Sequence, residues 1–225
     1  MVLVAGDVGD TMNALTVAMR ELKSRFRRVF LTPGNHDLWI RRDTKDGTLY
    51  PDSICKLAAM HNVCESLGVD MGPAEVATGL VVVPLFSWYA CTWDEADPKP
   101  GVLRYDAFCK WPDTIPELSV WEYMLRLNAR RVSHAEAYRR KNPHAKVFSM
   151  SHFLPRTELP YPWGVSEMAK AVGCKELDLQ VRIFRRAAGP SRTSCRYMKE
   201  GPPPIMWRGP PRGKKVKQRK LQGES

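Results

Sequence analysis

The amino-acid sequence predicts an α/β fold, and three observations carry that expectation. Val2-Leu3-Val4-Ala5, Val29-Phe30-Leu31 and Leu80-Val81-Val82-Val83-Pro84-Leu85-Phe86 are apolar runs with the length and branching of buried strands. The first ends at Gly6 and the second at Pro33-Gly34, so each delivers the chain into a turn. Between them, Leu15, Met19, Leu22 and Phe26 recur at helical spacing. Strand, helix, strand with short connections is the βαβ pattern, which requires a parallel pair.

Taken in order, residues 2–5 read as a strand and residues 11–28 as a helix, with Asp10 or Thr11 available to cap its N-terminus. Residues 28–32 form the next strand. Residues 53–67 read as a second helix, stopped by Gly68. The run 80–86 is a further strand. Residues 87–116 hold Trp88, Tyr89, Trp93 and Trp111 among prolines, glycines and acidic residues. They read as a long irregular loop of the kind that often carries function. For each tryptophan taken singly, packing in the core is the stronger expectation.

Residues 117–141 read as one helix, with Val120, Met124, Leu127 and Val132 near one face and Arg130, Arg131, Arg139 and Arg140 exposed. Residues 145–150 form a short strand that delivers Ser151-His152 at its end. Residues 165–172 read as a short helix, and Leu177-Asp178-Leu179-Gln180-Val181 as a short strand by its alternation.

A chain of 225 residues can bury a sizeable core, and 44% apolar with 26% charged residues is ordinary for a globular protein. No apolar run approaches the roughly 20 residues that span a bilayer, so no membrane partner is expected. The six cysteines are scattered without a CxxC pair. That argues against a zinc knuckle or disulfide scaffold and fits reduced thiols in a cytoplasmic or nuclear setting.

The net charge of +11 is concentrated at one end. Of the 35 Lys+Arg and 24 Asp+Glu, residues 182–225 hold 13 and 2, which leaves 22 of each sign in residues 1–181. The body is neutral and the tail basic. With six prolines after Val181 and few large apolar residues, residues 182–225 read as a disordered tail. Lys214-Lys215-Val216-Lys217-Gln218-Arg219-Lys220 could act as a nuclear address or contact a polyanion, although a solvated charge run is the commoner meaning of such a cluster.

The chemistry sits at strand ends. Gly6-Asp7-Val8-Gly9-Asp10 follows the first strand, Gly34-Asn35-His36-Asp37 the second, and Ser151-His152 a later one. A carboxylate, an amide oxygen and an imidazole gathered at one sheet edge are suited to metal-assisted hydrolysis of a phosphate ester. A carboxylate can hold a metal, a neutral Asn oxygen leaves positive charge to offset the phosphate, and a His can protonate the leaving oxygen. Taken alone, Asp7 could merely cap a helix, Asn35 could sit in a turn, and His36 could be a structural histidine.

In this order, the three motifs resemble the calcineurin-like metallophosphoesterase superfamily over residues 1–181. The resemblance implies a two-sheet sandwich flanked by helices and hydrolysis of a phosphomonoester or phosphodiester. It matches Asp7 to the carboxylate that bridges two metals, and Asn35 and His152 to ligands of the second. His36 matches the proton donor, Asp37 its orienter, and Asp10 a second-shell or capping residue. The family's D-x-H and G-H-x-H motifs have no counterpart here. The resemblance therefore implies a sandwich lacking its first and closing strands, a truncated isoform that holds at most one divalent ion (manganese, iron or zinc). Three functions compete: a metal-dependent phosphoesterase, a catalytically impaired isoform that binds, and a polyanion binder acting through the tail.

Overall fold

The computed structural model describes residues 1–43, 47–93, 106–159 and 171–186, all within one unit, Met1–Ser191. The fold is mixed α/β, with two sheets flanked by helices. β1 (Val2–Val4) and β2 (Val29–Leu31) form a parallel pair, in register from Val2 opposite Val29 to Val4 opposite Leu31. α1 (Met12–Arg25) is the crossover between them, as the βαβ pattern requires. Thr11 caps it, its side chain accepting from the Ala14 N–H. The helix ends three residues short of the expected Arg28, because Phe26 already adopts an extended backbone on the way into β2.

α2 (Ser53–Leu67) starts at a cap from Asp52 and stops at Gly68, whose left-handed φ of 67° closes the last turn. β3 (Ala74–Ala77) and β4 (Leu80–Pro84) form an antiparallel hairpin, and β5 (Lys146–Met150) pairs in parallel with β4 over five positions. β3 was not anticipated: Ala74-Glu75-Val76-Ala77 is only four residues long with a single β-branched side chain, and it pairs with β4. The two sheets are tied where the Thr32 hydroxyl donates to the Leu85 carbonyl at 2.7 Å.

Two expectations fail among the helices. Residues 117–141 are not one helix but a 3₁₀ turn (Glu117–Ser119), α3 (Val120–Leu127) and α4 (Ala129–Lys141). Asn128 makes the break. Its fully buried amide accepts from the Phe86 N–H and donates to the Phe86 carbonyl, both at 2.8 Å, so it serves the backbone just past β4. Residues 177–181 are not a strand but part of α5 (Glu176–Arg186). Leu177 and Phe184 lie on one helical face and are buried, while Leu179 is exposed.

The arginines also differ from expectation. Arg139 is buried, not solvated. Arg131 lies 3.8 Å over the Phe86 ring and donates to the Leu127 and Met71 carbonyls, and burial lowers its guanidinium to about 10. The expected helix at 165–172 lies largely, and the basic tail beyond Arg186 wholly, outside the described residues.

The core has two parts. One packs α1 and α2 against Val29 and Leu31 and extends to Trp88 and Phe153. The other packs Val81, Val83 and Leu85 against Val132, Ala135, Leu177 and Phe184. Each Val, Leu or Phe among them, fully buried, contributes roughly 1.5–3 kcal/mol relative to exposure. The described ends of the aromatic loop belong to this packing: Trp88 and Trp93 are buried, and Trp111 meets Trp88 edge-on at 5.1 Å. No helix among the described residues is long and apolar enough to cross a membrane.

Candidate functional site

The loops that follow β1, β2 and β5 converge. Their close approach depends on two glycines. A Cβ on Gly6, whose φ is +82°, would stand 2.3 Å from the Gly34 nitrogen, and one on Gly34 would stand 2.2 Å from the Asp7 Oδ1. Asp7 itself holds a φ of +56°, which a residue with a side chain adopts only when its surroundings impose it.

Asp37 imposes it. This carboxylate is 1% exposed and accepts from four backbone N–H groups. Its Oδ2 takes those of Asp7 and Gly34, both at 2.8 Å, and its Oδ1 those of Val8 at 2.9 Å and Gly9 at 3.1 Å. Burial pushes the Asp37 carboxyl above its usual value, against the N–H bonds from Gly34 and Gly9 that favour the charge. Asp37 therefore fastens the two loops together. All four of these hydrogen bonds come from backbone N–H groups of the loops.

Within this frame three lone-pair atoms face one another. His152 Nδ1 lies 2.7 Å from the Ala5 carbonyl, which can only accept. Nδ1 thus carries the proton of the neutral ring, and Nε2 is left with its lone pair. Nε2 stands 3.1 Å from Asn35 Oδ1 and 3.6 Å from Asp7 Oδ1. The Asn35 amide is oriented from behind, because its Nδ2 donates to Asp106 Oδ1 at 2.8 Å. With neutral His152, no proton lies between the three atoms, and a cation is what would relieve their mutual repulsion. The donor set of imidazole nitrogen, amide oxygen and carboxylate fits a divalent metal, and the carbonyl behind the His and the carboxylate behind the Asn are the supports that metal ligands use. Asp7 Oδ1 also accepts from the His36 N–H at 3.2 Å. Among the described residues no three His, Cys, Asp or Glu gather into a metal-holding group, so Asn35 is indispensable to this set.

The remaining expected residues lie around it. His36 is exposed, and its ring stacks on Trp39 with centroids 3.7 Å apart. Asp10 is not the helix cap, a place Thr11 takes: its carboxylate pairs with Arg41 at 3.1 Å and its carbonyl accepts from Lys56 Nζ at 2.8 Å. Lys56 is 2% exposed and also donates to the Trp39 carbonyl at 2.6 Å, while its burial lowers its pKa. Asp106 is the residue that sequence reasoning missed. It binds both Asn35 and the Trp39 indole, the latter at 2.7 Å, yet lies 71 residues from Asn35 in a loop with no motif of its own. A buried acid among aromatics was the one available signal.

No family model matches the chain, and no curated protein sequence matches it. Among solved structures, the crystal structure of phosphopantetheinyl hydrolase (PptH) from Mycobacterium tuberculosis is similar, with a TM-score of 0.60 and 21% sequence identity, over 80% of this chain and 68% of that one. At that identity the likeness establishes a shared fold.

Proposed function

We propose that this chain is a metal-dependent phosphoesterase that hydrolyses a phosphomonoester or phosphodiester and holds one divalent ion through His152 Nε2, Asn35 Oδ1 and Asp7 Oδ1. The observation that carries the reading is geometric: His152 Nδ1 lies 2.7 Å from the Ala5 carbonyl, and its Nε2 faces Asn35 Oδ1 at 3.1 Å and Asp7 Oδ1 at 3.6 Å. The fold it shares with a protein named as a hydrolase supports the same reading, as does the order of the strand-end motifs.

When bound, such an ion supplies Lewis-acid polarisation of a phosphoryl oxygen and a more acidic water. The chain's own residues do the rest. Asn35, neutral and fixed by Asp106, adds no negative charge where a phosphate would sit. To His36, exposed and stacked on Trp39, we assign the proton given to the leaving oxygen. Asp37 keeps the loops carrying Asp7, Asn35 and His36 at fixed separation.

Manganese titration followed by calorimetry should give one ion per chain, and His152→Ala should weaken it at least tenfold, the lower end of what even supporting residues contribute. Hydrolysis of an aryl phosphate in manganese, zinc or iron should fall about 10²-fold in His36→Ala with the metal count unchanged. Absence of metal-dependent turnover in the wild-type chain, or turnover indifferent to both substitutions, would defeat the reading.

A further inference from the structure

Asp106 touches both halves of the site. Its Oδ1 accepts from Asn35 Nδ2 at 2.8 Å and from the Trp39 indole N–H at 2.7 Å. These two donors flank one 3₁₀ turn, His36–Leu38, so a single oxygen grips that turn at both ends. The segment that carries Asp106 is pinned beside it. The Cys109 N–H donates to the Asp106 carbonyl and the Ile40 N–H to the Phe108 carbonyl, both at 2.8 Å. Tyr89 flanks the same carboxylate: burial first, then the charge and hydrogen bond of Asp106, push the ionisation of its phenol up. Asp106 is buried, so it acts through the side chains it binds.

Each grip has a consequence. An Asn before a helical turn ordinarily caps it, yet the Asn35 side chain makes no capping bond. Its Nδ2 goes to Asp106 instead, which leaves Oδ1 facing His152 Nε2 at 3.1 Å. The two ends of an amide have nearly the same shape, so its hydrogen-bond partners decide which end faces a cation. Turned over, Asn35 would present N–H donors to the ion. On the other side, the Trp39 ring is the face on which His36 stacks, with centroids 3.7 Å apart. The indole N–H bond to a buried acceptor keeps that ring from rotating away.

We infer that Asp106 is the positioning residue for both halves of the site: it presents the oxygen of Asn35 to the metal ion and holds the Trp39 platform beneath His36. The inference rests on the phosphoesterase reading for what the site does. It adds that ligand and proton donor are set together, by one carboxylate outside the strand-end motifs.

The test uses the full chain and two readouts besides turnover. Calorimetry gives the manganese affinity, and NMR at fixed pH without metal follows the His36 ring protons, which the Trp39 ring current displaces. Asp106→Ala should weaken manganese about tenfold or more, the lower end of what a ligand's supporting partner contributes, and move the His36 protons to the positions of an unstacked ring. Asp106→Asn keeps an acceptor oxygen at nearly the same volume but without the charge that roughly doubles such bonds, so both readouts should fall between wild type and Ala. Wild-type manganese affinity in both variants, or in Asp106→Asn should the Ala variant not fold, would overturn the Asn35 half. Unmoved His36 protons would overturn the Trp39 half. Trp39→Phe deletes the indole N–H and keeps an aromatic ring. At saturating manganese its kcat should fall about tenfold on phenyl phosphate, whose leaving oxygen needs a proton, and by less than about twofold on 4-nitrophenyl phosphate, whose leaving oxygen does not. Equal losses on the two esters would show that the indole bond serves the fold and not the proton donor. If the wild-type chain hydrolyses neither ester while the manganese and His36 effects appear, the phosphoesterase reading falls and the positioning role of Asp106 stands.

Discussion

The loops after β1 and β2 and the loop after β5 meet at the same donor set, but they are held in different ways. The first two are joined by a buried charge on each side: Asp37 collects four backbone N–H groups, and Lys56 binds the carbonyls of Asp10 and Trp39. The third is held without such a buried charge: Phe153 N–H donates to the Ser87 hydroxyl at 3.1 Å, His152 Nδ1 faces the Ala5 carbonyl, and Leu154 pairs through its backbone with Val172 and Cys174. The strands explain the difference. β1 and β2 are three residues each and pair at three positions, whereas β5 runs alongside β4 for five. A short ribbon cannot carry its loops by ladder bonds alone, so side chains that reach back to the backbone take over. A longer strand fixes the direction of its own exit.

The sharpest break of this comparison is Asp37→Ala. It leaves four N–H groups without their acceptor, and at roughly 1–3 kcal/mol for each that stays unsatisfied the chain should lose about 4 kcal/mol, part of the four being rescued by water. Urea denaturation read by tryptophan fluorescence measures it, and the affinity for manganese should fall with it. A loss under about 1 kcal/mol would mean that the ribbon positions its loops without the fastener.

The same contrast governs what was legible in the sequence. The βαβ unit was legible because Leu15 and Met19 point into one core at helical spacing and the flanking runs are wholly apolar. The strand-end placement of Asp7, Asn35 and His152 followed from those elements. The fastening of backbone N–H groups by Asp37 did not, because a carboxylate that binds backbone carries no sequence signature of its own. Asp106 was invisible because its partners are far away in sequence. α5 was misread because Leu177, Leu179 and Val181 alternate like a strand. Only Phe184, completing a helical face with Leu177 and Val181, argues otherwise, and it lay beyond the segment read as a strand. Asn128 failed as a helix residue for the opposite reason: its local sequence permits a helix, and the need of Phe86 for a backbone partner overrides it.

On the β5 side the expected effect is smaller. Ser87→Ala removes the acceptor for the Phe153 N–H, one buried neutral bond, and should lower stability by about 1 kcal/mol. Because Ala5 still anchors His152, manganese affinity should change by less than threefold. A loss of metal binding as large as that from Asp37→Ala would show that the β5 loop depends on its ties as much as the other two do.

The smallest effect concerns the second fastener of the β1–β2 loops, and it is one of pH dependence. Burial lowers the pKa of Lys56 in the folded chain below its ordinary 10.5, against the favourable charges of Asp37 and Asp10. The folded state therefore gives up the Lys56 proton before the unfolded state does. Between the lowered value and 10.5 the unfolded chain binds more protons, so stability rises with pH across that window and the penalty is at its full extent below it. In Lys56→Met this rise is absent. The stability difference between wild type and Lys56→Met, followed by urea denaturation from neutral pH toward 10.5, should move in favour of the wild type as pH increases. Other groups titrate in that range in both proteins and cancel in the difference. A difference that stays flat, or moves toward the variant, would mean that the two carbonyls of Asp10 and Trp39 keep Lys56 as readily charged as in water.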